Sequence, residues 1–155
     1  MDMAELERRL TRMEDIEAIK QLKARYCDIC DDDHNPAKIT TLFVEDGIWE
    51  AGGFGKAQGH EGIRQLFQGF QKMISFSQHM VVNPLIEVNG NTAKGTWYFL
   101  GPFTFRKNNE AKWQAVKYED DYVKVNGEWK YKHLRAHIPH EGAPRHHRQQ
   151  AHHHP

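Results

Sequence analysis

The chain has 155 residues, with 21 Lys plus Arg balanced by 21 Asp plus Glu, so its formal net charge is zero. That length suits one domain with a real core and is short for two, and the balanced charge lacks the basic footprint of a nucleic-acid binder. Four Trp, five Tyr and eight Phe argue against disorder, and no apolar run approaches the roughly 20 residues that span a bilayer.

The N-terminus, Met1 to Leu10, is charged from the start and does not read as a secretory signal. The sequence therefore predicts a soluble, cytoplasmic protein. Leu6, Leu10, Met13, Ile16, Ile19, Leu22 and Tyr26 recur at three- and four-residue steps, which predicts a helix from residue 4 to about residue 30. Asp31-Asp32-Asp33-His34-Asn35-Pro36 stops it, because acids oppose the dipole there and Pro36 disfavours helix at Asn35. A short helix over Pro36 to Phe43 can start from that proline. Glu45-Asp46-Gly47 reads as a turn into a short strand with Ile48 and Trp49, and Gly52 to Gly55 as a loop. A third helix follows Gly59-His60-Glu61-Gly62, carrying Ile63, Leu66, Phe67 and Phe70.

From about Ser75 the pattern becomes that of strands. Met80–Val88 and Thr92–Phe105 flank Asn89-Gly90, and Trp113–Val125 and Trp129–Ile138 flank Asn126-Gly127, two strong hairpin signals. Helices segregated before an antiparallel meander predict an α+β fold, with a domain over residues 1–139. Residues 140–155 lose apolar periodicity and hold six of the eleven histidines. They read as a flexible His-rich tail, either a native metal-binding segment, an expression remnant or a solvated terminus. Cys27 and Cys30 form a lone C-x-x-C at the wrong pole of a helix for thioredoxin chemistry, and read as reduced, partly buried cysteines. With no phosphate-cradling glycine motif and no metal-ligand set outside the tail, no cofactor and no metal are expected.

Several strings resemble the SnoaL-like branch of the nuclear transport factor 2-like superfamily: Asp15-Ile-Glu-Ala-Ile-Lys-Gln-Leu-Lys-Ala-Arg-Tyr26, Leu42-Phe-Val-Glu-Asp46-Gly, Gly59-His-Glu-Gly-Ile63, and Asp120-Asp-Tyr-Val with Gly127-Glu-Trp129. The resemblance covers about residues 10 to 138. It implies a cone of three helices on a curved antiparallel sheet around an apolar pocket, and a homodimer. It is strongest to the dehydratase and dehydrochlorinase type, whose tyrosine and aspartate at the end of the first helix and histidine on a later strand fall at Tyr26, Asp31 and His79. The Asp or His that some of those enzymes add on the next strand has no counterpart in Thr92–Phe105.

His79 is the candidate base, since an ordinary imidazole titrates at about pH 6.5. Asp31 is assigned the role of orienting it, and Tyr26 that of a hydrogen-bond donor to a developing or departing oxygen. On an ideal helix Asp31 lies about 140° from Tyr26 while Asp33 returns to its face, so which of Asp31, Asp32 and Asp33 meets His79 stays open. Trp49, Trp97, Phe99, Trp113 and Tyr118, together with His133, are the candidate substrate contacts, suited to a small hydrophobic ring-containing molecule. Two functions compete. One is a cofactor-independent lyase or isomerase, dehydratase-like. The other is a non-catalytic binding or dimerisation module, or an accessory subunit of a larger enzyme.

Overall fold

The computed structural model describes residues 1–139; the His-rich segment from His140 onward lies outside the described residues. Helix α1 spans Met3–Asp31. Asp2 caps it by accepting the Glu5 N–H at 2.8 Å. Its C-terminal half supplies the apolar packing: Ile19, Leu22, Tyr26, Cys27 and Cys30 are buried, whereas Leu6, Leu10 and Met13 are exposed. The apolar period runs over the whole helix, yet the apolar side chains of its first turns stay exposed.

The stop at the end of α1 is built from two successive left-handed residues, Asp33 (φ 51°) and His34 (φ 48°). Both types tolerate that region better than most side chains do. The turn sends the His34 side chain back into the interior, where it is buried. Asn35 then caps α2 (Pro36–Ile39) by accepting the Lys38 N–H at 3.1 Å. A 3-10 turn over Thr40–Leu42 replaces the rest of the predicted second helix.

Seven strands form one sheet: β1 (Phe43–Glu50), β2 (Lys56–Gln58), β3 (Ile74–Ser77), β4 (Met80–Asn89), β5 (Thr92–Phe105), β6 (Glu110–Val125) and β7 (Glu128–His137). The order is β2-β1-β7-β6-β5-β3, with β4 also on β5. The β6–β7 hairpin turns at Asn126-Gly127, both with positive φ, as that dipeptide required, whereas the β4–β5 turn falls one residue later than expected, at Gly90-Asn91, with Asn89 still paired to Thr92. The sheet is curved, unclosed and mixed rather than wholly antiparallel, because β1 runs parallel to β7. A parallel neighbour between the first and last strands needs a long connection, which the rest of the domain supplies. Helix α3 (Gly59–Met73) lays Ile63, Phe67 and Phe70 against the interior. No helix among the described residues is long and apolar enough to cross a membrane.

β3 and β4 share one edge of β5, interrupted at Gln78 and His79. Gly101 of β5 makes that interruption fit. A Cβ there would lie 1.9 Å from the Gln78 carbonyl oxygen, and the Gln78 N–H donates to the Pro102 carbonyl at 3.1 Å. Only a residue without a side chain admits a backbone this close.

Candidate active site

Between the C-terminal half of α1, α3 and the inner face of the sheet lies a cavity with mostly apolar walls. Its cavity volume is about 60 Å³. It is therefore a narrow slot. Its polar lining comes mainly from His34, His79, Cys30, Tyr26, Tyr118 and Gln114.

At one side of the slot Asp31 and His79 are joined. Asp31 Oδ1 lies 2.6 Å from His79 Nδ1, and the His79 backbone N–H donates to both carboxylate oxygens, at 3.0 and 2.9 Å. The Ser77 hydroxyl lies 3.2 Å from both Asp31 Oδ1 and the Cys30 carbonyl oxygen. Of the three acids the sequence left open, Asp31 is the one against His79. Asp32 instead pairs with Lys38 at 3.3 Å and accepts from Asn35. The His79 side chain is 6% exposed and that of Asp31 26%, so the imidazole sits inside and the carboxylate near the rim. With a carboxylate accepting at Nδ1, the proton resides on Nδ1 and Nε2 carries the free lone pair. The ring packs against Phe99 and Phe103, with centroids 4.8 and 5.2 Å away.

Tyr26 is buried in the same wall. Its hydroxyl accepts the Trp49 indole N–H at 2.8 Å, and the Cys30 thiol and Tyr118 hydroxyl are its other hydrogen-bonding neighbours. Burial pushes the Tyr26 and Tyr118 hydroxyls well above the ordinary tyrosine range, so both stay protonated. Of the residues singled out from sequence, Tyr26, His79, Trp49, Phe99 and Tyr118 line the slot. Trp97, Trp113 and His133 do not. Trp97 is buried deeper and donates to the Tyr122 hydroxyl at 3.1 Å, Trp113 is 67% exposed on the outer face, and His133 pairs with Glu50 at 2.5 Å. His133, Arg135 and His137 do share one side of β7, and each meets an acid there, Glu50, Asp121 and Glu119 respectively. Strand alternation placed them together but could not say which face of the sheet closes the cavity.

The SnoaL-like domain family matches residues 11–135. The chain belongs to the SnoaL-like domain family. Solved structures share this fold at low identity. One is a proposed scytalone dehydratase from Novosphingobium aromaticivorans (24% identity, TM-score 0.75, covering 83% of this chain and 86% of that one). Another is a hexachlorocyclohexane dehydrochlorinase from Novosphingobium barchaimii (21%, 0.77, 84% and 90%). A third is a nuclear transport factor 2-like protein with a cystatin-like fold from N. aromaticivorans (22%, 0.76, 92% and 93%).

Three features of this SnoaL-like domain escaped the sequence. His34 lines the slot with its ring centroid 6.0 Å from that of His79. Burial, and then the neighbouring His79, lower its pKa to about 4, so it is neutral at physiological pH. It follows an acidic run with no periodicity to mark it. Second, Cys30, His34 and His79 form a group of three metal-capable side chains whose ligand atoms lie within 4.8 Å of one another. Their sequence spacing does not announce it. Third, beneath the slot Lys23 Nζ lies 2.8 Å from Asp120 Oδ2 with both side chains 0% exposed. The ammonium sits 3.4 Å from the Tyr118 ring centroid, a cation–π contact, and Tyr122 donates to the same Asp120 oxygen at 2.9 Å. Lys23 thus lies beneath Tyr118, behind the slot's lining.

Proposed function

We propose that this SnoaL-like domain is a cofactor-independent lyase or isomerase, dehydratase-like, acting on a small hydrophobic ring-containing molecule held in the slot. The Asp31–His79 pair is the observation that carries the reading. His79 Nε2 takes a proton from a ring carbon, and the electron pair of the broken C–H bond becomes a ring double bond. In an elimination the group on the adjacent carbon leaves with its own bonding pair as that double bond forms; in an isomerisation an existing double bond shifts and its electron pair takes the proton back at another carbon. Asp31 keeps Nδ1 protonated and offsets the imidazolium charge, as an acid does behind a catalytic histidine. Tyr26 donates to the oxygen that gains charge, once ligand displaces its thiol or tyrosine neighbour.

The aromatic wall formed by Phe99 and Phe103 against the imidazole supports a planar, apolar substrate. Two structural relatives, a proposed scytalone dehydratase and a hexachlorocyclohexane dehydrochlorinase, support elimination as the reaction class. A module that only binds has no need of an imidazole with one nitrogen anchored by a carboxylate and the other left free beside an apolar slot. For partners we infer a second copy of the chain, because the outer face of β4–β6 exposes Val82, Leu85, Tyr98, Leu100 and Trp113 together.

The reading is tested by screening hydroxylated and halogenated ring compounds for thermal stabilisation, then incubating the hits with protein and looking by mass spectrometry for loss of water or hydrogen halide, or for an isomer. Binding hits that His79→Ala binds equally and that are never turned over would favour the binding module instead.

A further inference from the structure

We propose that Cys30, His34 and His79 form a binding site for a thiophilic divalent cation of the Zn²⁺ type, which competes with substrate for the His79 lone pair. The three side chains come from the last turn of α1, the left-handed turn after it, and the β3–β4 interruption, and all three line the slot. Zinc bonds sulfur at about 2.3 Å and imidazole nitrogen at about 2.0–2.1 Å. In a tetrahedral site the ligand atoms then stand about 3.3–3.7 Å apart. The present group, within 4.8 Å, has to contract by about an ångström.

The ligand able to make that movement is His34. Its ring stands among those of Phe67, Phe70, His79 and Phe103, and among the described residues no side-chain hydrogen bond holds it. His79, by contrast, is already arranged as metal-binding histidines are: one ring nitrogen is fixed on a carboxylate and the other is free. On binding, the Cys30 thiol gives its proton to water and the thiolate takes the metal. The charges then balance, since the dication meets one thiolate among its ligands and the Asp31 carboxylate immediately behind His79. Three protein ligands leave a fourth position facing the slot, for water or for a donor atom of the ligand. The soft thiolate beside two imidazoles selects zinc-like ions over Mg²⁺ or Ca²⁺, which want oxygen.

Cobalt reports this site, because a thiolate bound to Co²⁺ gives an intense sulfur-to-metal band in the near ultraviolet that histidine does not. The chain has two cysteines, so the His-rich segment cannot produce the signal. In the reduced full chain, Co²⁺ should bring up this band with a one-to-one endpoint, and Zn²⁺ should abolish it. Cys30→Ser should remove it while Cys27→Ser keeps it, and His34→Gln should weaken cobalt affinity at least about tenfold, the least that disturbing a metal's ligand sphere usually costs. No sulfur band in the unmodified chain overturns the site, as does a band that survives Cys30→Ser or is unmoved by His34→Gln. If Cys30→Ser fails to fold by circular dichroism, the His34→Gln titration decides alone. Competition with substrate rests on the acid–base reading above and is read separately, as inhibition by Zn²⁺ that rising substrate relieves. A sulfur band with turnover indifferent to bound zinc overturns the competition and leaves the metal site standing, whereas the absence of any turned-over substrate bears on the reading above alone.

Discussion

Asp31 holds His79 at two places at once, the ring nitrogen at 2.6 Å and the backbone N–H at 3.0 and 2.9 Å. The carboxylate therefore fixes the strand interruption as well as the tautomer, and the two roles separate by mutation. His79→Ala leaves the backbone contact in place and should lower turnover about 10²–10⁴-fold, the usual worth of a positioned base, with a stability change of only about 1–3 kcal/mol. Asp31→Asn should also lower turnover, because an amide can donate to Nδ1 and so leave the proton on the wrong nitrogen. Steady-state kinetics and denaturant melts on both variants check this. A rate within a few-fold of the parent in folded His79→Ala would remove His79 from the chemistry.

His34 makes stability depend on acid. Its pKa is about 4 in the fold against about 6.5 in an unfolded chain, so between those values the unfolded state binds the extra proton. Its contribution is intact above about pH 6.5, is lost as pH falls toward 4, and levels off below. The full loss is on the order of 3 kcal/mol. Urea melts from pH 7 to pH 4 in the presence of chelator should show that decline, and His34→Gln should flatten it relative to the parent.

Lys23 and Asp120 form an ion pair shut off from water. Burial raises the Asp120 pKa while Lys23 and Tyr122 oppose it, so removing the ammonium leaves the costlier partner alone. Lys23→Met should destabilise the domain by about 3–5 kcal/mol. The double variant Lys23→Met/Asp120→Asn should regain much of that, since no unpaired charge remains. Equal losses in the single and double variants would show that packing under Tyr118, rather than charge pairing, is what Lys23 supplies.

The outer sheet face carries the assembly prediction. Leu85 is 75% and Trp113 67% exposed, with Tyr98 and Leu100 of β5 between their strands. Sedimentation should find the protein as a homo-oligomer, and Leu100→Lys combined with Trp113→Glu should shift it to monomer while leaving circular dichroism unchanged. A parent chain that sediments as a monomer at micromolar concentration would refute the pairing.

What the sequence by itself determined was local: α1 from its three- and four-residue apolar steps, the stop at Asp31 to Pro36, and both hairpins, one turning at Asn126-Gly127 with φ values such residues take readily and the other one residue past its Asn-Gly signal, where Gly90 takes the positive φ. The family strings added the layer arrangement and pointed to Tyr26, Asp31 and His79. The tertiary structure alone decided which surfaces face each other. Strand alternation puts Trp97 and Phe99 on one face of β5, yet only sheet curvature and the helices above it decide that Phe99 lines the slot while Trp97 packs below it. Leu6 and Lys23 sit on the same helix, and hydropathy ranks them opposite to their observed burial. The parallel β1–β7 contact, the Lys23–Asp120 pair and the meeting of Cys30 and His34 with His79 join residues far apart in sequence or held by a turn with no period. Such contacts are selected by the packing of the whole domain, and no local pattern carries them.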